Sequence, residues 1–232
     1  MESQAIGVIG AMDEEIAQFL EWVGATKESV IAGITFREGT WHGKQVVICK
    51  CGVGKVNAAV CTQLLIDRFG VTEIIFTGVA GALHPELSIG DIVISSHCMQ
   101  HDMDVTPLGF AKGVIPFAPD SVFSADPRLQ ELAFRAAEEL YPGHIRVGKV
   151  LSGDQFVADR EKVRELYQDM QGDCVEMEGS AVAQVCHLNQ IPFVILRSMS
   201  DKADGSAHVN FPEFTKHASK RSAAIVERML KL

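Results

Sequence analysis

The first apolar run of the chain, Ala5-Ile6-Gly7-Val8-Ile9-Gly10, ends in glycine and gives way to acids, then to apolar residues at helical spacing, Ile16, Phe19, Leu20 and Val23. A continuous apolar run followed by a 3.6-residue period predicts strand, turn and helix. Residues 34–41 and 45–50 are rich in β-forming side chains, and His42-Gly43-Lys44 between them predicts a hairpin. Gly52-Val53-Gly54 opens a helical pattern reaching Leu65, and residues 73–77 form a buried run that leads into Gly78-Val79-Ala80-Gly81, read as a glycine turn. A strand over 91–96 precedes an irregular stretch, 97–124, rich in Pro, Gly and Phe, whose length suits a functional or interface segment.

The second half alternates more regularly. Asp126-Pro127 offers a cap and a first-turn proline for a helix reaching about Tyr141. Residues 144–151, 173–176 and 191–197 read as strands, and 159–170, the stretch ending at Asn189, and 211–230 read as helices. Strands alternating with helices predict an α/β fold in three layers, a mixed, largely parallel central sheet flanked by helices. No repeat or linker divides the chain, so residues 1–232 are expected to form a single domain.

Composition narrows the function. With 232 residues and a net charge of −9, the chain has the core-forming capacity of one large domain and no basic face for nucleic acid. Neither a basic start of signal-peptide type nor an apolar run of membrane-spanning length is present, and the six cysteines, without a Cys-x-x-Cys pair, read as reduced thiols. These features predict a cytoplasmic protein that uses neither membrane nor nucleic acid.

The candidate chemistry lies just beyond the strands, where α/β sheets bind ligands. Met12-Asp13-Glu14-Glu15 follows the first strand, Glu176-Met177-Glu178 the strand at 173–176, and Ser200-Asp201 the last. An acid in the first turn of a helix is favoured by the helix dipole and by capping alone, which accounts for Glu14. Carboxylates at three separate strand ends are harder to explain that way, and they suit catalysis in which one group gives a proton while another takes one from water. Gly7-x-x-Gly10 and Gly52-Val53-Gly54-Lys55 lack the spacing of dinucleotide and phosphate loops. His97 and His101, near Asp102 and Asp104, lack a second ligand cluster, so neither a metal nor another cofactor is expected.

The motifs Ile9-Gly10-Ala11-Met12-Asp13-Glu14-Glu15, Gly52-Val53-Gly54-Lys55-Val56-Asn57-Ala58-Ala59, Thr77-Gly78-Val79-Ala80-Gly81, Ser152-Gly153-Asp154-Gln155-Phe156, Val175-Glu176-Met177-Glu178 and Ser200-Asp201-Lys202-Ala203-Asp204 occur in this order. In this the chain resembles the 5′-methylthioadenosine/S-adenosylhomocysteine nucleosidases of the nucleoside phosphorylase superfamily, nearly end to end. The resemblance implies a nucleoside phosphorylase-like fold and hydrolysis of the N-glycosidic bond of those nucleosides, and of 5′-deoxyadenosine, to adenine and the 5-substituted ribose. It implies that Glu15 activates the attacking water, that Asp201 with its neighbour Ser200 addresses the base and protonates N7, and that Glu178 holds the ribose hydroxyls with Met177 against the sugar. Phe156 would stack on the purine, the Val157 backbone would read its amino edge, and Ala80 and Gly81 would border it. Met12, Val53 and Phe211 would line the 5′-alkylthio pocket. The resemblance further implies a homodimer in which the 97–124 loop, through Leu108 and Pro116, closes the partner's pocket. Asp13, Leu108 and Gly179-Ser180 depart from the commonest family pattern, which bears on the preferred 5′ tail.

Three other readings share the pattern. A phosphorolytic relative would need cations where the loop after the first strand offers Asp13, Glu14 and Glu15, and those would repel a phosphate dianion. A hydrolase of another 6-substituted purine nucleoside, such as futalosine, would keep the same carboxylates. A nucleoside-binding protein without turnover would have no use for all of them.

Overall fold

The computed structural model describes residues 5–23, 27–202 and 207–232, with the side chains of the last segment described from residue 214 onward. Strands β1 (Ala5–Gly10), β2 (Lys27–Ile31), β3 (Ile34–Trp41), β4 (Lys44–Lys50), β5 (Val71–Ala82), β6 (Ile92–Gln100), β7 (Val122–Ser124), β8 (Ile145–Ser152), β9 (Cys174–Glu176) and β10 (Phe193–Asp201) form one sheet. Helices α1 (Asp13–Val23), α2 (Lys55–Phe69), α3 (Pro127–Leu140), α4 (Arg160–Gln168), α5 (Gly179–Asn189) and α6 (Ala207–Lys231) surround it. The expected mixed sheet flanked by helices is therefore present. The long registers β1–β4, β1–β5, β5–β10 and β6–β8 are parallel, while β2–β3, β3–β4, β6–β10, β6–β7 and β5–β9 are antiparallel.

The sheet departs from the expectation where β6 runs on to Gln100 and β7 pairs with it inside the stretch read as irregular, and in two further features. Strand β5 does not turn at Gly78. It runs on to Ala82, because Gly78 and Gly81 take ordinary strand conformations and lack the positive φ of a glycine turn. Its extra length lets β5 pair with β1, β10 and β9, so β5, β10, β6, β8 and β9 close into a ring with β1, β4, β3 and β2 extending from it. Closure brings strand ends far apart in sequence to one rim. Strand β2, polar and largely exposed, pairs with β3 across Ala32-Gly33 and lacks the apolar alternation that would have marked it.

Apolar faces account for the packing. One cluster, including Ile9, Phe36, Leu65, Phe76, Val182 and Ile195, fills the space between the sheet and helices α2 and α5. A second, including Val8, Phe19, Ile48, Ile94, Leu129 and Ile225, packs α1, α3 and α6 on the other face. Helix α3 begins as the sequence indicates, with the Asp126 carboxylate accepting from the Leu129 N–H at 2.9 Å and Pro127 in the first turn. Asp126→Ala is expected to cost about 1 kcal/mol and to lower the thermal midpoint by about 2–4 °C, with the rim of the ring undisturbed. Calorimetry beside a nucleoside-binding measurement checks both halves.

Candidate active site

A cavity opens at the carboxyl ends of β1, β5, β9 and β10. Its lining includes Met12, Glu15, Val53, Ala80, Gly81, Phe156, Val157, Met177, Glu178, Ser200 and Asp201, together with Ala11, Val79, Gln155, Val175 and Glu176. The three strand ends singled out for their acids thus converge on one site. The side chain of Phe211 lies outside the described residues. Leu108 and Pro116 do not line this cavity; Leu108 stands in a short turn, 70% exposed.

Glu15 is more than a first-turn acid. Asp13 and Glu14 face solvent, whereas Glu15 is buried, its Oε2 accepting from the Ala11 and Met12 amides at 2.6 and 3.0 Å and its Oε1 from the Val79 amide at 3.0 Å. Burial raises the pKa of Glu15, and Arg197 and these amides oppose the rise. A carboxylate so placed is a stronger base than a solvated one, and its oxygens are held in a fixed direction.

Glu178 stands at the N-cap position of α5 just after β9, but its side chain does not cap the helix; its Oε1 accepts instead from the Gly54 amide at 2.8 Å. Burial and the neighbouring Glu176 carboxylate push its pKa up to about 8, against Arg197 and the Gly54 amide. Asp201 ends β10 and is 5% exposed, with the Ser200 hydroxyl donating to its Oδ2 at 2.9 Å.

Behind the cavity lies Arg197, the group that the sequence pattern did not single out. It is 1% exposed in the middle of β10, paired to Glu176 through Nη2, 4.0 Å from Glu178 Oε2, and stacked over the Phe76 ring at 4.0 Å. Glu176 in turn accepts from the Ser152 hydroxyl and from the Glu178 and Gly179 amides at 2.8 to 3.1 Å, so its oxygens are taken up by structure. The available signal for Arg197 was a lone charge between Leu196 and Met199 in an otherwise apolar strand, since a fully buried arginine requires partners. Arg197 does not line the cavity, which faces carboxylates instead. Gly78 makes room for the arrangement: a Cβ there would overlap Arg197 Nη1 and the Glu15 carboxyl.

His97 and Asp102 have other partners, while the ring nitrogens of His101 are buried without a hydrogen-bond partner among the described residues. His97 lies on β6 with its Nδ1 2.8 Å from the Ser96 hydroxyl, His101 packs under Gly153, and Asp102 pairs with Lys55. Among the described residues no cluster of His, Cys, Asp or Glu could hold a metal ion, and no helix is long and apolar enough to cross a membrane.

Two variants test this electrostatic arrangement. The Glu178 proton is bound more tightly in the folded chain than in the unfolded one, so its contribution to stability is complete below about pH 4.5 and is lost as pH rises through about 8. Glu178→Gln removes that loss, and its thermal midpoint relative to the parent is expected to climb between pH 5 and 8, by at least about 2–4 °C. A constant difference across that range would contradict the assignment. Gly78→Ala forces apart Arg197 and Glu15 and is expected to destabilise the fold by about 1–3 kcal/mol, read from denaturant unfolding.

Residues 5–231 match the family model of the phosphorylase superfamily. The 5′-methylthioadenosine/S-adenosylhomocysteine nucleosidase of Marinomonas sp. (strain MWYL1) is 42% identical over 97% of this chain and 98% of its own. A solved nucleosidase of that name from Neisseria meningitidis, in complex with methylthio-immucillin-A, superposes with a TM-score of 0.94 at 40% identity, covering 98% of this chain and 99% of that one. The futalosine hydrolase of Helicobacter pylori superposes with a TM-score of 0.93 at 35% identity, covering 97% of each chain. The chain is a member of the phosphorylase superfamily and groups with its 5′-methylthioadenosine/S-adenosylhomocysteine nucleosidases.

Proposed function

We propose that this single-domain chain hydrolyses the N-glycosidic bond of 5′-methylthioadenosine and S-adenosylhomocysteine, and of 5′-deoxyadenosine, releasing adenine and the 5-substituted ribose. The observation that carries this reading is the convergence of Glu15, Glu178 and Asp201 on one largely apolar cavity. Adenine leaves poorly as an anion. Protonation of N7 by Asp201 lets it depart neutral, while the positive charge that develops on the ribose meets the carboxylates of Glu15 and Glu178. Glu15, fixed by its backbone donors, takes a proton from the attacking water, and Glu178 accepts from the ribose hydroxyls. Phe156, half exposed at the cavity mouth, offers a face for the purine, beside the buried Val157 backbone.

Water is favoured over phosphate as nucleophile. In the ionised state in which Glu15 takes a proton and Glu178 accepts from the ribose, these two and Glu176 outnumber the one guanidinium among them, Arg197, which sits behind the lining and is paired to Glu176. A phosphate dianion entering beside Glu15 and Glu178 would meet net negative charge.

The dimer and the compartment belong to the same reading. Val53, 51% exposed at the cavity edge, leaves the alkylthio end open, while Leu108 and the 93% exposed Phe117 project from a loop that has no place in its own chain's cavity. In the homodimer, Leu108 and Pro116 of that loop close the neighbour's pocket. Six free cysteines fit a reducing cytoplasm.

Asp201→Asn tests the acid directly. It is expected to slow adenine release from methylthioadenosine by about 10²- to 10⁴-fold, with nucleoside binding retained. Full adenine release by the variant would overturn the assignment.

A further inference from the structure

The glycine-rich turn between β4 and α2 ends in Lys55, a side chain to which the proposed chemistry gives no part. Lys55 Nζ donates to Asp102 Oδ1 at 2.6 Å and to Gln100 Oε1 at 2.9 Å, at the end of β6. Asp102 Oδ2 accepts from the Asp154 amide at 2.9 Å, and Asp154 Oδ1 accepts from the Lys55 amide at 2.8 Å. Lys55, Asp102 and Asp154 therefore close a ring of three links joining the loops after β4, β6 and β8. Gln184 of α5 extends it by accepting from Gln100 Nε2 at 2.6 Å.

The ring bears on two walls of the cavity. Gly54, the residue before Lys55, gives its N–H to Glu178, and Val53 before it lines the cavity. On the other side, Asp154 leads directly into Gln155, Phe156 and Val157. Gly54 sits at φ 100°, which few side chains tolerate, so its amide direction depends on how the turn is held at each end. Lys55 and Asp102 side chains are each 18% exposed, which shields their attraction from solvent better than a surface pair. Despite the cost of burial, the Asp102 carboxyl is held below its ordinary pKa by Lys55 and the Asp154 amide.

We propose that Lys55 is a positioning residue: through Asp102 and Asp154 it fixes the Gly52–Lys55 turn so that the Gly54 amide meets Glu178, and it sets the spacing between the Glu178 and Phe156 walls. This rests on the nucleosidase reading of the cavity. Glu178 faces the carboxylates of Glu176 and Glu15, the guanidinium of Arg197 and the Cys51 thiol, and the Gly54 amide favours its ionised form against the carboxylates. Loss of that amide makes Glu178 hold its proton to higher pH.

The test uses the full chain with methylthioadenosine, comparing Lys55→Met, Lys55→Arg, Asp102→Asn and the double variant Lys55→Met/Asp102→Asn. Lys55→Met is expected to lower kcat/KM by about 10- to 100-fold, the scale of one hydrogen bond to a charged group, and to move the acid limb of the pH profile upward. Lys55→Arg restores both, and the double variant is no slower than the slower single one. Amide hydrogen exchange at Gly54, followed by NMR, accelerates at least about tenfold in Lys55→Met and Asp102→Asn. Unchanged Gly54 exchange, an unmoved acid limb or losses that multiply in the double variant would overturn the proposal. If the unaltered chain releases no adenine, the nucleosidase reading fails, while Gly54 exchange still decides whether Lys55 holds the turn.

Discussion

The guanidinium of Arg197 and the carboxylates around it are the interaction on which the rim of this protein depends. A fully buried arginine is tolerated only with partners, and Arg197 finds Glu176 beside it, Glu15 and Glu178 nearby, and the face of Phe76 beneath. Each partner comes from a different element: α1 supplies Glu15, β9 supplies Glu176, the N-cap position of α5 supplies Glu178 and β5 supplies Phe76. The cluster therefore fixes the relative placement of four segments. Burial and the neighbouring carboxylates together raise the proton affinity of Glu178, whereas at Glu15 burial raises it against the pull of Arg197.

Much of the arrangement was legible in the chain. Helices α1, α3 and α5 and strands β1, β3, β4 and β8 follow hydrophobic period, caps and turn residues closely, because in each the local preference and the tertiary environment agree. The acids at the ends of β1, β9 and β10 were legible for the same reason: strand ends are recognisable, and chemistry collects there. What was hidden depended on pairing between distant segments. Gly78 looks like a turn until Arg197 and Glu15 are seen filling the space a side chain would take. Arg197 itself looks like the polar end of an apolar strand, because nothing local shows that β10 continues to Asp201 between β5 and β6. The closed ring of strands is invisible to periodicity, which reports which face of a strand is buried and not which neighbour it pairs with.

Closure of that ring connects fold to site. Because β5 pairs with β1, β9 and β10 together, the acids of all three neighbouring strand ends reach one cavity, and the loops after β6 and β8 can be tied to the turn before α2. The cavity wall is mostly apolar, so the few polar groups that face it act in a poorly screened environment. With Arg197 behind the carboxylates rather than in the cavity, ionised Glu15 and Glu178 give the cavity net negative character. A neutral nucleophile is compatible with such a pocket and a phosphate dianion is not.

The source of the oxygen placed on the ribose tests that account most directly. Methylthioadenosine turned over in ¹⁸O-labelled water, with and without added phosphate, is expected to give methylthioribose bearing one ¹⁸O atom at an unchanged rate. A ribose 1-phosphate product, or turnover that requires phosphate, would contradict it.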